Sequence, residues 1–225
     1  MLSAEEWEVL WLSLRVAGLC VVISLPLAVV LGWLLARVEF KGKTLLDGLC
    51  HLPLVLPPVV TGYILLVVFG RRGFLGETLD EVFGIQLAFD WKGAVLASAV
   101  VGFPLMLRAI RLAIEAVDPR LERVARTLGA GRVRAFLTVT LRLASPGLLA
   151  GALLSFARSL GEFGATITFV SNIQGETRTI PSAIFTYLNQ PGGEAPALRL
   201  VILSVLLSLA AMMACETVSR RLRRD

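Results

Sequence analysis

The chain is 225 residues long, 56% hydrophobic and 17% charged, with a mean hydropathy of +0.78. A soluble domain of this size could not hide so much apolar surface in its core, so the composition excludes an ordinary soluble enzyme and points to lipid as the solvent. The formal charge of +5 invites a nucleic-acid reading, but the basic residues collect in segments between apolar runs, which is a pattern of membrane topology.

Five apolar runs follow one another: Val16–Ala36, Leu49–Gly70, Gly93–Leu107, Leu143–Ala157 and Leu200–Cys215. With flanking residues added to the shorter three, each reaches the roughly 17–25 residues that a spanning helix needs. Long runs without alternation suit helices and not barrel strands, because in hydrocarbon the backbone must satisfy its own hydrogen bonds. The expectation is an all-α polytopic membrane protein of about five transmembrane helices, forming a single domain over 1–225 with a cytoplasmic loop at about 111–142.

The first run follows Glu5, Glu6 and Glu8, is too long for a secretory signal and lacks a small-x-small cleavage site, so it reads as a retained helix. Trp7 and Trp11 suit the headgroup zone, and Arg15 is close enough to that end to snorkel outward. Pro26 either only kinks this helix or serves function. Arg37, Lys41 and Lys43 come next. Gly42-Lys43-Thr44 copies the end of a phosphate-binding loop, but the first glycine of that loop would fall at Arg37 and no strand precedes it, so the chain is not expected to bind ATP.

The second run opens with Pro53, Pro57 and Pro58, which cannot continue a regular helix; this span should be distorted or begin late, near Pro58. His51 is the sole histidine and is expected to cap or pack near a membrane face. Cys20, Cys50 and Cys215 are scattered without a CxxC, which indicates packing residues and neither disulfides nor a zinc site. No catalytic residue, metal ligand or cofactor is expected. The outer loop from Arg71 to Lys92 ends near the interfacial Trp91 and carries no chemical signal.

The segment after the third run is the longest cytoplasmic stretch. Asp118-Pro119 starts a short amphipathic helix, with Asp as N-cap and Pro at the first helical position. Leu121–Leu128 continues it, Gly129-Ala130-Gly131 permits a sharp turn, and Arg132–Arg142 climbs back to the bilayer. Such an elbow could lie on anionic lipid or dock on another protein. Fifteen of the 22 Lys and Arg residues fall in three segments, after spans one and three and in the tail (Arg220, Arg221, Arg223, Arg224). By the positive-inside rule these are cytoplasmic, which places the N-terminus outside and the C-terminus inside.

In the fourth run Arg158 and Glu162 are one helical turn apart and can pair on one face, either as a structural salt bridge or as part of a path or gate. Gly147 and Gly151 form a small-xxx-small pair, and Gly161 and Gly164 add thin points beside Glu162, suiting close helix approach at a dimer axis. In the last outer loop, Ile180–Leu188 reads as a short helix that could face a docking protein or seal the bundle.

Arg123-Val124-Ala125-Arg126-Thr127-Leu128-Gly129 resembles the Glu-Ala-Ala-x-x-x-Gly pattern of permease subunits of ATP-binding-cassette importers, whose elbow inserts into a groove on the ATPase. Arg123 stands where that pattern has Glu, with Glu122 beside it, and Arg142 stands in place of its closing proline, with Pro146 nearby. His51–Tyr63, Arg158–Thr166 and Gly175–Ala183 are similar to blocks of molybdate-importer permeases, the middle one being shared with sulfate permeases.

The resemblance implies a type I importer permease fold and molybdate passage across a bacterial inner membrane, with sulfate, thiosulfate or tungstate as the alternative cargo. It also implies a second copy of this permease, two ATPase subunits that bind the ATP, and a periplasmic molybdate-binding protein. An ion-coupled transporter or channel fits less well, since there are only five spans and no inverted repeat. On this resemblance Glu122, Arg123, Ala125, Leu128, Gly129 and Ala130 are the expected ATPase-coupling residues, and Arg158, Gly161, Glu162, Phe163, Gly164 and Thr166 the expected path or gate.

Overall fold

The computed structural model describes residues 3–222, with the side chains of Cys215 and of residues 218–222 outside that description. The expected roles of the tail arginines and of Cys215 as a packing residue therefore fall outside the described residues. Among those described the fold is all-helical, as the composition requires.

Helix α1 (Ala4–Arg37) starts with a full capping box, in which Ser3 Oγ accepts from the Glu6 N–H and Glu6 accepts from the Ser3 N–H. It begins well before Val16, takes in Trp7 and Trp11, and runs through Pro26 without a break. After it come α2 (Lys43–Val55) and α3 (Pro58–Phe69), bent by 114° at Leu56-Pro57. Leu56 is extended, the conformation that a following proline imposes, and Pro58 opens α3 at the position where its missing N–H costs nothing. The second run is thus broken at Pro57-Pro58, but Pro53 lies inside α2 and does not interrupt it, which corrects the expectation for that proline. At 12 residues α3 is about 18 Å long and cannot cross a bilayer alone.

The loop without chemical signal holds a helix of its own, α4 (Phe74–Phe83), ended by Gly84 in the left-handed region. Helix α5 (Trp91–Glu115) is capped by Asp90 and carries the third span two turns further than its apolar run, taking Arg108 and Arg111 into the helix. The elbow helix α6 (Pro119–Thr127) follows, then α7 (Arg132–Ala135), a π-turn at Phe136–Thr140, and α8 (Leu141–Leu143). A 70° bend leads into α9 (Ser145–Leu160), then α10 (Gly164–Val170), α11 (Ile180–Leu188) and α12 (Glu194–Leu222). Three of these helices, α1, α5 and α12, are long and apolar enough to cross a membrane, or five spans result if each bent pair counts as one.

Helices α1, α5 and α9 pack on one another as the centre of the bundle. Small residues make this possible: a β-carbon on Gly102 of α5 would lie 2.6 Å from Ser155 Oγ on α9, and one on Gly147 would collide with Ala113. Gly151 likewise faces Met106 and Ala109. The small-xxx-small pair of α9 is therefore spent on α5 of the same chain, which corrects the expectation that it marks a dimer axis. One core joins α1, α3, α5 and α10 around Val16, Leu65, Val101 and Phe169, and another, around Ala28, Met106, Ile110 and Ile114, fills the other half.

The end of the bundle where α1 begins is closed by α11, which occupies the Ile180–Leu188 stretch predicted as a short helix and packs Ile180 and Ala183 against Val9, Leu10 and Leu200. Ser13 Oγ accepts from the Ile180 N–H at 2.8 Å, Arg178 pairs with Glu5 at 2.7 Å, and Arg199 pairs with the buried Glu6 at 2.8 Å. Burial pushes the Tyr187 phenol up, and Glu5 beside it adds to the shift. Arg15 is exposed, and its guanidinium lies 3.7 Å from the Trp91 ring centroid, where the ring face gives the cation a partner.

Candidate functional site

Two regions hold the residues singled out in the sequence. The first is the elbow. Asp118 accepts from the Arg120 N–H at 2.8 Å, satisfying an end group of α6 as an N-cap should. At the other end the Ala130 N–H donates to the Ala125 carbonyl and the Gly129 N–H to the Arg126 carbonyl, both at 3.1 Å. Gly129 has φ +92°. Those two bonds and that dihedral make a Schellman motif, which explains physically why an alanine and a glycine four apart mark this turn.

The outward face of α6 is unusual. Leu121, Val124 and Leu128 are 45%, 55% and 83% exposed at i, i+3 and i+7, so they share one apolar stripe on an otherwise charged helix, and α6 buries no residue at all. Sequence reading had picked out Leu128 but missed Leu121 and Val124; their helical spacing was the available signal. Glu122 points the other way and accepts a hydrogen bond from Thr140 Oγ1 in the π-turn, tying α6 to the second arm of the elbow. Arg123 is exposed, and Ala125 and Ala130 are half-buried at the turn.

The second region is the break between α9 and α10. Helix α9 ends at Leu160, so Glu162 lies just past the helix and not within it, yet Arg158 Nη1 still reaches Glu162 Oε2 at 2.7 Å. The other carboxylate oxygen accepts from the Ala165 N–H at 2.8 Å and so caps α10. The Glu162 side chain is 1% exposed and that of Arg158 30%. One buried carboxylate therefore fastens both sides of a helix break, its charge balanced by a guanidinium with access to water.

Gly164 sits against Pro58, where an added β-carbon would lie 2.7 Å from the proline Cβ, and Gly62 of α3 sits against Ala165, 2.5 Å from its carbonyl. These two glycines let α3 and α10 pack as one unit. Thr166 is buried within it. Gly161 and Phe163 instead line a cavity of about 440 Å³ between the break, α11 and α12, with Phe185, Ile184, Ser204 and Ser208 on its other walls. The Phe163 and Phe185 rings meet at 5.3 Å between centroids. Phe185 was not among the residues anticipated from sequence. Among the described residues no group of three or more His, Cys, Asp or Glu is placed to hold a metal ion.

Comparison with known proteins places this architecture. Residues 28–224 match the family described as binding-protein-dependent transport system inner membrane component. The molybdenum transport system permease protein ModB of Escherichia coli K12 is 60% identical over 220 residues, 98% of this chain and 96% of that protein. The sulfate transport system permease protein CysT of the same organism is 36% identical over 231 residues, covering 98% of this chain and 82% of CysT. Among solved structures, a bacterial alginate ABC transporter in complex with a pentasaccharide-bound periplasmic protein superposes with a TM-score of 0.76 at 18% identity, covering 97% of this chain and 80% of that one, which is a likeness of fold.

Proposed function

The chain belongs to the binding-protein-dependent transport system inner membrane component family, and we propose that within it this is the permease through which an ATP-driven importer passes molybdate. The observation that carries the reading is the 60% identity to a molybdenum permease across nearly the whole of both chains. Sulfate is the second reading, and it is weaker because identity falls to 36% for the sulfate permease. Molybdate and sulfate share charge and tetrahedral shape, so selection between them belongs mainly to the binding protein.

In this reading the chain, one permease domain over 1–225, performs no covalent chemistry and binds no cofactor. ATP is bound and hydrolysed by two separate ATPase subunits, and two copies of this permease enclose the path. The apolar stripe of α6 is what an ATPase groove covers: three exposed aliphatic side chains on a charged helix are costly in water and are stabilised by burial. Glu122 holds the shape of the elbow, Arg123 meets the ATPase where relatives of the motif carry an acid, and Gly129 sets the turn. At the break, Glu162, Gly164 and Thr166 form the rigid seat of the gate, and Gly161, Phe163 and Arg158 face the space through which the oxyanion moves.

The termini are assigned by the positive-inside rule, the N-terminus outside and the tail in the cytoplasm. On that orientation α11 and the Glu5–Arg178 and Glu6–Arg199 pairs lie on the outer face, where a binding protein would dock. The test is purification from native membranes with identification of the co-purifying chains. An ATPase together with an oxyanion-binding protein is the expected result; recovery of the chain with neither contradicts it.

A further inference from the structure

Helix α2 buries none of its residues, and α5 is the helix it packs on. The junction is electrostatic. Arg111, in the last turns of α5, places Nη1 2.9 Å from Asp47 Oδ2 on α2 and Nε 2.8 Å from Glu115 Oε1 on its own helix. His51 Nδ1 lies 2.8 Å from the Asp47 backbone carbonyl, while Asp47 Oδ1 makes no hydrogen bond among the described residues, so Arg111 is the group that holds the carboxylate.

The position of this junction gives it a consequence beyond packing. Only Ala116 and Val117 separate Glu115 from Asp118, the cap of the elbow helix, and Arg37 at the end of α1 donates from Nη2 to the Val117 carbonyl at 2.6 Å, so the short link between α5 and the elbow is pinned to α1. On the other side, α2 passes through Leu56 and Pro57 into α3, with the 114° bend between them. Helix α3 is locked to α10 through Gly62 and Gly164, and α10 carries the Glu162 cap. Helix α5 packs directly on α3 and α10 through the core around Leu65, Val101 and Phe169, and α2 adds a second connection from the elbow end of α5 to α3, in which Arg111 is the bridging side chain.

We propose that Arg111 is a positioning residue for transport: by holding Asp47 and Glu115 together it passes movement of the ATPase-docked elbow to α2 and so to the α3–α10 unit at the gate. The inference rests on the importer reading given above. A continuous chain of packed and ion-paired elements carries coupling only if the link is stiff, and a guanidinium held by two carboxylates is stiffer than either pair alone. Removing it leaves both ends of the relay folded on their own cores, since neither Arg111, Asp47 nor Glu115 belongs to one.

The test uses the permease with its co-purified ATPase and binding protein in proteoliposomes, and reads molybdate taken up per ATP hydrolysed. Arg111→Ala and Asp47→Ala are each expected to lower that ratio by about fivefold or more, the lower end for energetic coupling between sites. The double substitution should be no worse than either single change, because the two residues act as one link. Arg111→Lys should retain most of the ratio, and ATPase co-purification should stay at the wild-type level throughout. A merely structural role would lower abundance while leaving uptake per ATP unchanged in the surviving complexes, and that result overturns the inference. Losses that multiply in the double variant also overturn it. Should Arg111→Ala accumulate poorly, Asp47→Asn gives the same decision with its size and one acceptor kept. A wild-type complex without ATP-driven uptake would instead sink the importer reading itself, whereas coupled wild type beside an equally coupled Arg111→Ala removes this link alone.

Discussion

The elbow and the α9–α10 break are built on opposite plans. The elbow has no buried residue in α6, is shaped by caps and one left-handed glycine, and exposes its apolar stripe. The break is enclosed, fastened by one carboxylate that meets a guanidinium and a backbone N–H, and packed through glycines that tolerate no β-carbon. A region that fulfils its own contacts keeps its geometry unaided; one that leaves them open is completed by something else. That contrast supports the proposal that the first region recognises a partner and the second serves the mechanics of the path.

The largest effects are expected where the open region is spoiled. At Gly129 nothing lies within 4 Å of an added β-carbon, so a side chain meets no obstruction, but at φ +92° it is strained by roughly 1–2 kcal/mol. Gly129→Val should leave membrane abundance near normal while reducing ATPase co-purification and substrate-stimulated hydrolysis by about tenfold or more, the strain and the bulk acting together at a docking turn. Wild-type values for both would show that the elbow lies on lipid and that the contrast is mistaken. Leu128→Asp sharpens the same point, since its side chain is 83% exposed and the change removes apolar surface while leaving Gly129 in place; co-purification of the ATPase should fall.

At the closed region the expected loss is of stability. Glu162→Ala removes the cap of α10 and the partner of Arg158, and thermal unfolding in detergent should show a loss of about 3 kcal/mol, the low end for a broken buried pair because Arg158 reaches water. Arg158→Ala should also destabilise, and the double variant should cost less than the two singles together. Strict additivity would contradict pairing. Gly62→Ala comes next, at about 1–3 kcal/mol, because the added methyl meets the Ala165 backbone and not a flexible side chain.

Much of this contrast was legible in the sequence. Asp118-Pro119 and Ala125/Gly129 specify the start and stop of α6 through local rules, and the prolines at 57 and 58 specify a break, because caps and proline act within a few residues. The pairing of Arg158 with Glu162 was likewise evident from spacing, though the end of α9 at Leu160 was not, because Gly161 permits a stop without requiring one. Gly147 and Gly151 show the limit most clearly. A small-residue pair announces close approach without naming the partner, and here the partner is α5 of the same chain. The Arg15–Trp91 stack and the cavity wall at Phe185 depend on tertiary packing and left no local signature, whereas α4 left one in Gly84, the left-handed glycine that ends it.

The smallest perturbation is a label that changes no function. Single cysteines at Thr127 and Gln174, introduced singly into a chain that retains its buried Cys20, should react from opposite sides of the membrane, Thr127 only from the cytoplasm and Gln174 only from outside. External reactivity at Thr127 would put the open region on the wrong side for an ATPase and reverse the comparison.

The most direct measurement is molybdate accumulation by proteoliposomes holding this chain, its co-purified ATPase and the loaded binding protein, with and without ATP. Uptake that requires ATP, falls away when the binding protein is omitted and survives an excess of sulfate is the predicted result. Equal flux without ATP, or ATP-driven uptake of sulfate in preference to molybdate, would contradict it.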